Sequence, residues 1–120
     1  MKIYKNLTFE ITDLKQVYLI KEKIITEPIN IIYPFHLLIW QGPYFSKMVN
    51  LMFENRKINF IVESKDDVGM FFSLIEIGIK KISISMTLDK KLTEKVLSIA
   101  KKSNVKIYFT ENFKIEKLNL

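Results

Sequence analysis

Apolar side chains along this chain recur at two alternating spacings. In residues 6–11, Leu7, Phe9 and Ile11 fall on one side and Thr8 and Glu10 on the other, the two-residue period of a half-buried strand and here an expected sheet edge. Thr12 or Asp13 then offers a side-chain oxygen to cap a helix. Leu14, Val17, Tyr18 and Ile24 keep helical spacing opposite Lys15, Lys21 and Lys23, up to the stop at Pro28. The β-branched run 29–33 predicts a strand. Residues 34–43 form an apolar connection between Pro34 and Pro43 with room for a short helical turn, and Pro43 suits the first turn of a helix over 44–55. A strand over 58–62, a helix over 66–77 closed by Gly78, a strand over 81–85, a helix over 89–102 and a strand over 105–109 complete the pattern. Asn104 is the expected C-cap of the last helix, and residues 110–120 follow neither period.

Five strands separated by four helical segments predict one α/β domain over 1–120, with a mostly parallel, doubly wound sheet of flavodoxin-like or Rossmann-like type. The expected strand order is 2-1-3-4-5.

Two helices carry more apolar surface than one face of a sheet covers. Over 66–77, Val68, Met70, Phe71, Phe72, Leu74, Ile75 and Ile77 span most of the circumference; Tyr44, Phe45, Met48, Val49, Leu51, Met52 and Phe53 do the same over 44–55. Each buried Phe or Met is worth about 1.5–3 kcal/mol, so these flanks favour a second copy as partner. A homodimer is expected, with Phe45, Met48, Met52, Met70, Phe71 and Leu74 as its contact set.

The net charge is +6, and of nineteen basic side chains only Arg56 is an arginine. Scattered lysines without arginine read as a solvated exterior, so nucleic acid is not an expected partner. With no cysteine, disulfides, thiolate catalysis and Cys-based metal sites are excluded. The longest weakly polar stretch, 28–40, is short of a membrane span and includes Asn30, Pro34 and His36. No signal-peptide pattern opens the chain, and a cytoplasmic location is expected.

Candidate chemistry lies at the carboxyl ends of the strands, where open α/β sheets bind ligands. Asp13, Tyr33, His36, Glu63, Ser64, Asp66, Asp67 and Thr87 belong to that rim, as does Glu111. The rim is acidic on a basic protein, which suits a polyhydroxylated or amine ligand, or a divalent cation on oxygen ligands. The competing explanation is structural. Ser64-x-x-Asp67 before an apolar run resembles a capping box, and Asp66 and Asp67 suit a helix N-terminus electrostatically. His36 is the one histidine and has no nucleophile beside it. Glycines occur only at 42, 69 and 78, so no glycine-rich phosphate loop is present, and no cofactor is expected.

Residues 9–109 resemble a small bacterial α/β family without an assigned activity. Its members carry an acidic D-C-G-D-x-x-G motif between a strand and a helix closed by glycine. The matching stretch is Glu63-Ser64-Lys65-Asp66-Asp67-Val68-Gly69, followed by Gly78. Asp66 and Gly69 are retained, while Glu63, Ser64 and Lys65 replace the acid, thiol and first glycine. The resemblance implies the fold and no chemistry. A response-regulator receiver is excluded, because the third strand ends in Glu63 where its aspartate would stand and Phe109-Thr110 lacks its lysine. The expected function is a self-associating, non-catalytic module for a small molecule or a protein. The alternative is an enzyme with an acidic site, with or without a divalent metal, built on Glu63, Asp66, Asp67 and Asp13.

Overall fold

Strand and helix alternate in space as the two periods require. The computed structural model describes residues 2–54 and 56–118. A 3-10 turn over Lys2–Lys5 leads into β1 (Leu7–Glu10), α1 (Leu14–Lys21), β2 (Ile29–Tyr33), α2 (Phe35–Gln41), α3 (Pro43–Met52), β3 (Ile58–Lys65), α4 (Val68–Glu76), β4 (Lys81–Ile84), α5 (Lys90–Lys102) and β5 (Lys106–Phe109). A second 3-10 turn, Thr110–Asn112, precedes a two-residue strand, β6 (Ile115–Glu116). The protein is α/β with a parallel sheet, as expected. No helix among the described residues is long and apolar enough to cross a membrane.

The strand order corrects the expectation. Six strands, not five, run β5-β4-β3-β2-β1-β6. β6 pairs outside β1, so β1 is not an edge. The order from β1 to β5 never reverses, so crossovers of one hand deposit every helix on the same face. The buried residues agree. Val17 and Ile20 of α1, Leu37 and Leu38 of α2, Val49 of α3, Phe71 and Leu74 of α4, and Val96 and Ala100 of α5 share one core. Their sheet partners are Ile31, Tyr33, Phe60, Val62, Ile82 and Ile84, alternate residues that point to one side.

The opposite face is covered by chain ends instead of helices. Ile32 and Ile61 pack there with Tyr108 and Phe113, against Ile3 and Tyr4. The Tyr4 ring lies 4.6 Å from that of Phe113 and edge-on to Tyr108, and its hydroxyl accepts a hydrogen bond from the Phe109 N–H (2.9 Å). The return from β5 to β6 also bends the sheet. Six residue steps separate Phe109 from Ile115, a reach of at most ~22 Å. Five inter-strand gaps separate β5 from β6, ~24 Å if the sheet were flat. Part of that reach is further shortened by the 3-10 turn, so the sheet must curl towards the face the segment crosses.

A polar ladder crosses this concave face near the amino ends of the strands. Lys81 Nζ donates to Asn59 Oδ1 (2.8 Å), Asn59 Nδ2 to Asn30 Oδ1 (3.1 Å), and Asn30 Nδ2 to Thr8 Oγ1 (3.0 Å) and to the Ile3 carbonyl (2.7 Å). Thr8 Oγ1 in turn donates to the Asn6 carbonyl (3.0 Å). Thr8 and Asn30 are fully buried, and the ladder satisfies them.

Local chemistry sets the element ends. Gly42 (φ 87) separates α2 from α3, and Pro43 takes the first position of α3 as expected. Gly78 (φ 92) and Asn104 (φ 58) follow α4 and α5 in left-handed conformation. The Ile79 N–H bonds the Leu74 carbonyl and the Val105 N–H that of Ala100, so both helices close with the same paired-carbonyl cap. The first helix stops at Lys21, well before Pro28, and leaves Ile24 exposed.

Asn30→Ala strands the amide of Asn59 and the carbonyl of Ile3 on this face. It is expected to cost about 1–3 kcal/mol in urea unfolding, whereas Asn59→Ala, nearer solvent, should cost less.

Candidate functional site

The stretch from Glu63 to Asp67 is longer as strand and more committed to the fold than the sequence suggests. β3 runs on through Glu63 and Ser64 to Lys65, with an irregularity in its pairing to β4 between Glu63 and Lys65. Glu63 is buried and its Oε1 accepts the Phe35 N–H (2.9 Å). Pro34 stands at the N-cap of α2 without a capping side chain, so the neighbouring strand supplies the carboxylate that a local Ser or Asp would have given. Ser64 is buried and donates to the Ser83 carbonyl (3.3 Å); the cap of α4 is Asp67, which accepts from the Met70 N–H (2.9 Å). The expected Ser64–Asp67 capping box is therefore corrected: Ser64 lies in the strand and Asp67 alone is the cap. Lys65 turns the chain at φ 52, with its ammonium 5.7 Å from the centre of the Phe35 ring.

Beyond these caps the strand ends enclose a hollow. A cavity of about 430 Å³ is lined by Glu63, Lys65 and Asp66 after β3, Ser85 and Thr87 after β4, Thr110 and Glu111 after β5, and Phe113 and Ile115 from the crossing segment. Its polar wall is ordered. Ser85 Oγ donates to Glu111 Oε2 (2.7 Å) and lies 2.7 Å from Thr87 Oγ1, and the Met86 N–H donates to Glu111 Oε1 (3.0 Å). Thr110 Oγ1 donates to Ser83 Oγ (3.0 Å). Burial alone would raise the Glu111 pKa, but the hydrogen bonds from Ser85 and Met86 outweigh it and hold the carboxyl below its ordinary value.

A second hollow shares Ile115 with the first and is lined by Glu10, Thr12, Gln16, Glu116, Lys117 and Leu118. Glu10 has a raised pKa, first through burial and then through the charge of Glu63, against the partly offsetting charges of His36 and Lys65. Sequence periodicity assigns Glu10 to the wet side of an edge strand. With β6 outside β1 that side lies inside the curl, and no local signal reveals it.

Glu63, Asp66, Thr87 and Glu111 converge on the larger cavity; Asp13, Tyr33, His36, Ser64 and Asp67 do not. Asp13 caps α1, accepting from the Gln16 N–H (3.1 Å), while Gln16 Oε1 accepts from the Thr12 N–H (2.7 Å). His36 is exposed on α2 and lines neither hollow. Tyr33 is on the helix side of the sheet, fully buried, and its hydroxyl has no hydrogen-bond partner. Lys65, Ser85, Thr110, Phe113 and Ile115 join the site because strand order brings β3, β4, β5 and the crossing segment together. Among the described residues no three His, Cys, Asp or Glu side chains are grouped to hold a metal ion.

The expected contact set divides in the same way. Phe71 and Leu74 are buried, because α4 lies mid-layer between α3 and α5 and is covered on both flanks. Phe45, Met52 and Met70 are partly buried against the core. Met48 remains exposed at 59%, beside Trp40 at 80% and Tyr44 at 74%.

No protein-family model, curated protein or solved structure matches this chain.

Burial pushes the Tyr33 hydroxyl up to about 12 from an ordinary 10.0. A raised folded-state value stabilises fully below the unfolded pKa and is lost as pH climbs through the folded one. Roughly 2–3 kcal/mol should thus be lost between about pH 10 and 12. Tyr33→Phe removes that loss and the unpartnered hydroxyl together. It should be at least as stable as wild type at pH 7 and visibly more stable at pH 11, by guanidinium unfolding. The Glu10 shift has the same sign at the acid end: the neutral form suits the fold. Glu10→Gln should raise the melting temperature at pH 7, with the gain vanishing as pH falls below the ordinary glutamate range.

Proposed function

We propose that this domain is a non-catalytic binding module whose strand-end cavity takes a small polar molecule bearing hydroxyl or amino groups. One observation carries the reading. Three adjacent strand ends and the crossing segment line a hollow of about 430 Å³, a size usual for small-ligand sites, with three carboxylates, three hydroxyls and one ammonium facing apolar Phe113 and Ile115. Carboxylates accept from hydroxyl or ammonium groups, and the Phe113 ring offers a flat apolar wall to a ligand's carbon face.

The same hydrogen bonds argue against catalysis there. Glu63 is engaged by the Phe35 N–H, and Glu111 by Ser85 and Met86. A carboxylate held below its ordinary pKa is a weak base for the Ser85 hydroxyl. The alternative, an acidic and metal-assisted enzyme, draws its support from the raised Glu10 carboxyl beside Glu63.

Self-association belongs to the same proposal. Tyr44, Met48 and Leu51 form an exposed stripe along α3, and Ile39 and Trp40 of the preceding α2 are exposed as well. A stripe of this kind suits a two-fold contact between copies.

A melting-temperature screen against polyols, sugars and amines tests the cavity. A compound at 100 times its dissociation constant should add about 2.7 kcal/mol of stability. Glu111→Gln should weaken that compound about tenfold or more, through the loss of a charged acceptor. Absence of any shift, or a shift that survives Glu111→Gln, would remove the reading; a response confined to divalent cations would favour the enzyme. For the stripe, sedimentation equilibrium at roughly 50 µM should give a dimer that Trp40→Glu with Met48→Lys converts to monomer. A monomeric wild type at that concentration ends the self-association part alone.

A further inference from the structure

The end of the sheet opposite the cavity has the reverse chemistry. Lys81 and Lys106 open β4 and β5 and are register partners, so two ammonium-bearing residues sit side by side across ~4.8 Å of sheet. Both fall on the concave face, since Ile82, Ile84, Ile107 and Phe109 take the helix side. Like charges so placed repel. The Lys81 ammonium is partly buried, and burial first, then Lys106, lowers its pKa.

No carboxylate relieves the pair. The one ion pair among the described residues is Lys114–Glu116, at 3.8 Å on the distant strand β6. Lys81 instead gives one N–H to the Asn59 amide oxygen, the first rung of the ladder, which holds its ammonium in place. Two further N–H donors on Lys81 and three on Lys106 stay free of any described protein acceptor. Lys106 lines a hollow of about 390 Å³ with Ile3, Ile107 and Tyr108, none of which carries a carboxylate.

We propose that the amino ends of β4 and β5 form a binding site for a phosphate-type oxyanion, held between Lys81 and Lys106 on the concave face. A tetrahedral oxyanion supplies the acceptors that the protein withholds, and a fixed ammonium in a partly dry setting binds it more strongly than a freely mobile surface lysine. The oxyanion can come from a small phosphorylated molecule or from a nucleic-acid backbone, and the test separates these sources. The site is on the far side of the polar ladder from the strand-end cavity and does not depend on it.

Inorganic pyrophosphate and a labelled twelve-nucleotide single strand are the two probes, followed by calorimetry and fluorescence anisotropy at low salt. Lys106→Gln is the principal variant, because Lys106 is exposed and outside the ladder. Lys101→Gln with Lys102→Gln, on α5, controls for loss of charge. Lys106→Gln should weaken the bound probe at least tenfold while the control changes it less than threefold. Without anion, Lys106→Gln should melt higher than wild type, since the repulsion is gone, and saturating pyrophosphate should narrow that gap. Pyrophosphate binding alone assigns the site to small phosphorylated molecules. Tighter binding of the strand, with an affinity that falls steeply with salt, assigns it to a nucleic-acid backbone. Binding of neither probe, or equal weakening by Lys106→Gln and the control, overturns the proposal.

Discussion

The chain has only Thr110 to Lys114 with which to return from one edge of its sheet to the other. That shortage of length is the constraint from which the rest follows. A flat six-stranded sheet is too wide for the crossing, so the strands curl, and the curl makes the uncovered face concave. Once concave, that face can be closed by little material: Ile3, Tyr4 and Phe113 cover Ile32, Ile61 and Tyr108 without a second helical layer. The strand-end cavity lies beneath the same segment, with Phe113 and Ile115 as part of its wall. Fold closure and site formation are one event, and the crossing segment is the element on which both depend.

One-way winding also explains how an apolar chain of this size keeps α4 dry. Phe71 and Leu74 are hidden because α4 has α3 and α5 on its two sides as well as the sheet beneath. Helices divided between two faces would leave each layer narrower and α4 with an open flank. The apolar surplus is displaced to the outer surface of α2 and α3, where Trp40, Tyr44 and Met48 are exposed. Of the two apolar helices, α3 leaves Tyr44, Met48 and Leu51 exposed, whereas α4 leaves Phe72.

How much of this was legible in the residues depends on the range of the interaction. The αβ alternation, Pro43 at the start of α3, Gly78 and Asn104 after α4 and α5, and Asp13 as a cap are local and follow from a few neighbouring letters. Strand order is not local. β6 is two residues long, too short to show a period, yet its pairing to β1 moves Glu10 from a solvent edge to the inside of the curl. Glu63 shows the same limit. A carboxylate next to a serine and two aspartates reads as part of a local capping group, but it caps α2, 28 residues upstream, because β2 and β3 are neighbours. Glu111 reads as a rim residue from its strand end alone, but its bond to Ser85 requires β4 and β5 to be neighbours.

The net charge of +6 conceals a polarity that the winding imposes. In parallel βα units every helix starts at the carboxyl ends of the strands and finishes at the amino ends. Helix N-termini therefore gather on one side of the molecule and their C-termini on the other. Asp13, Glu63, Asp67 and Asp89 are stationed at N-termini, each bonded to a backbone N–H of the first turn, and Lys21, Lys101 and Lys102 lie in last turns. The helix macrodipole accounts for those charges without any ligand. It does not account for Lys81 and Lys106. They begin strands, on the face that carries no helix, and Lys81 is tied to an asparagine amide rather than to a helix-terminal carbonyl. Nor does it account for Glu111, which lines the cavity and follows β5. Glu111 at the carboxyl ends of the strands and Lys81 with Lys106 at the amino ends are thus charges that the helix ends do not require.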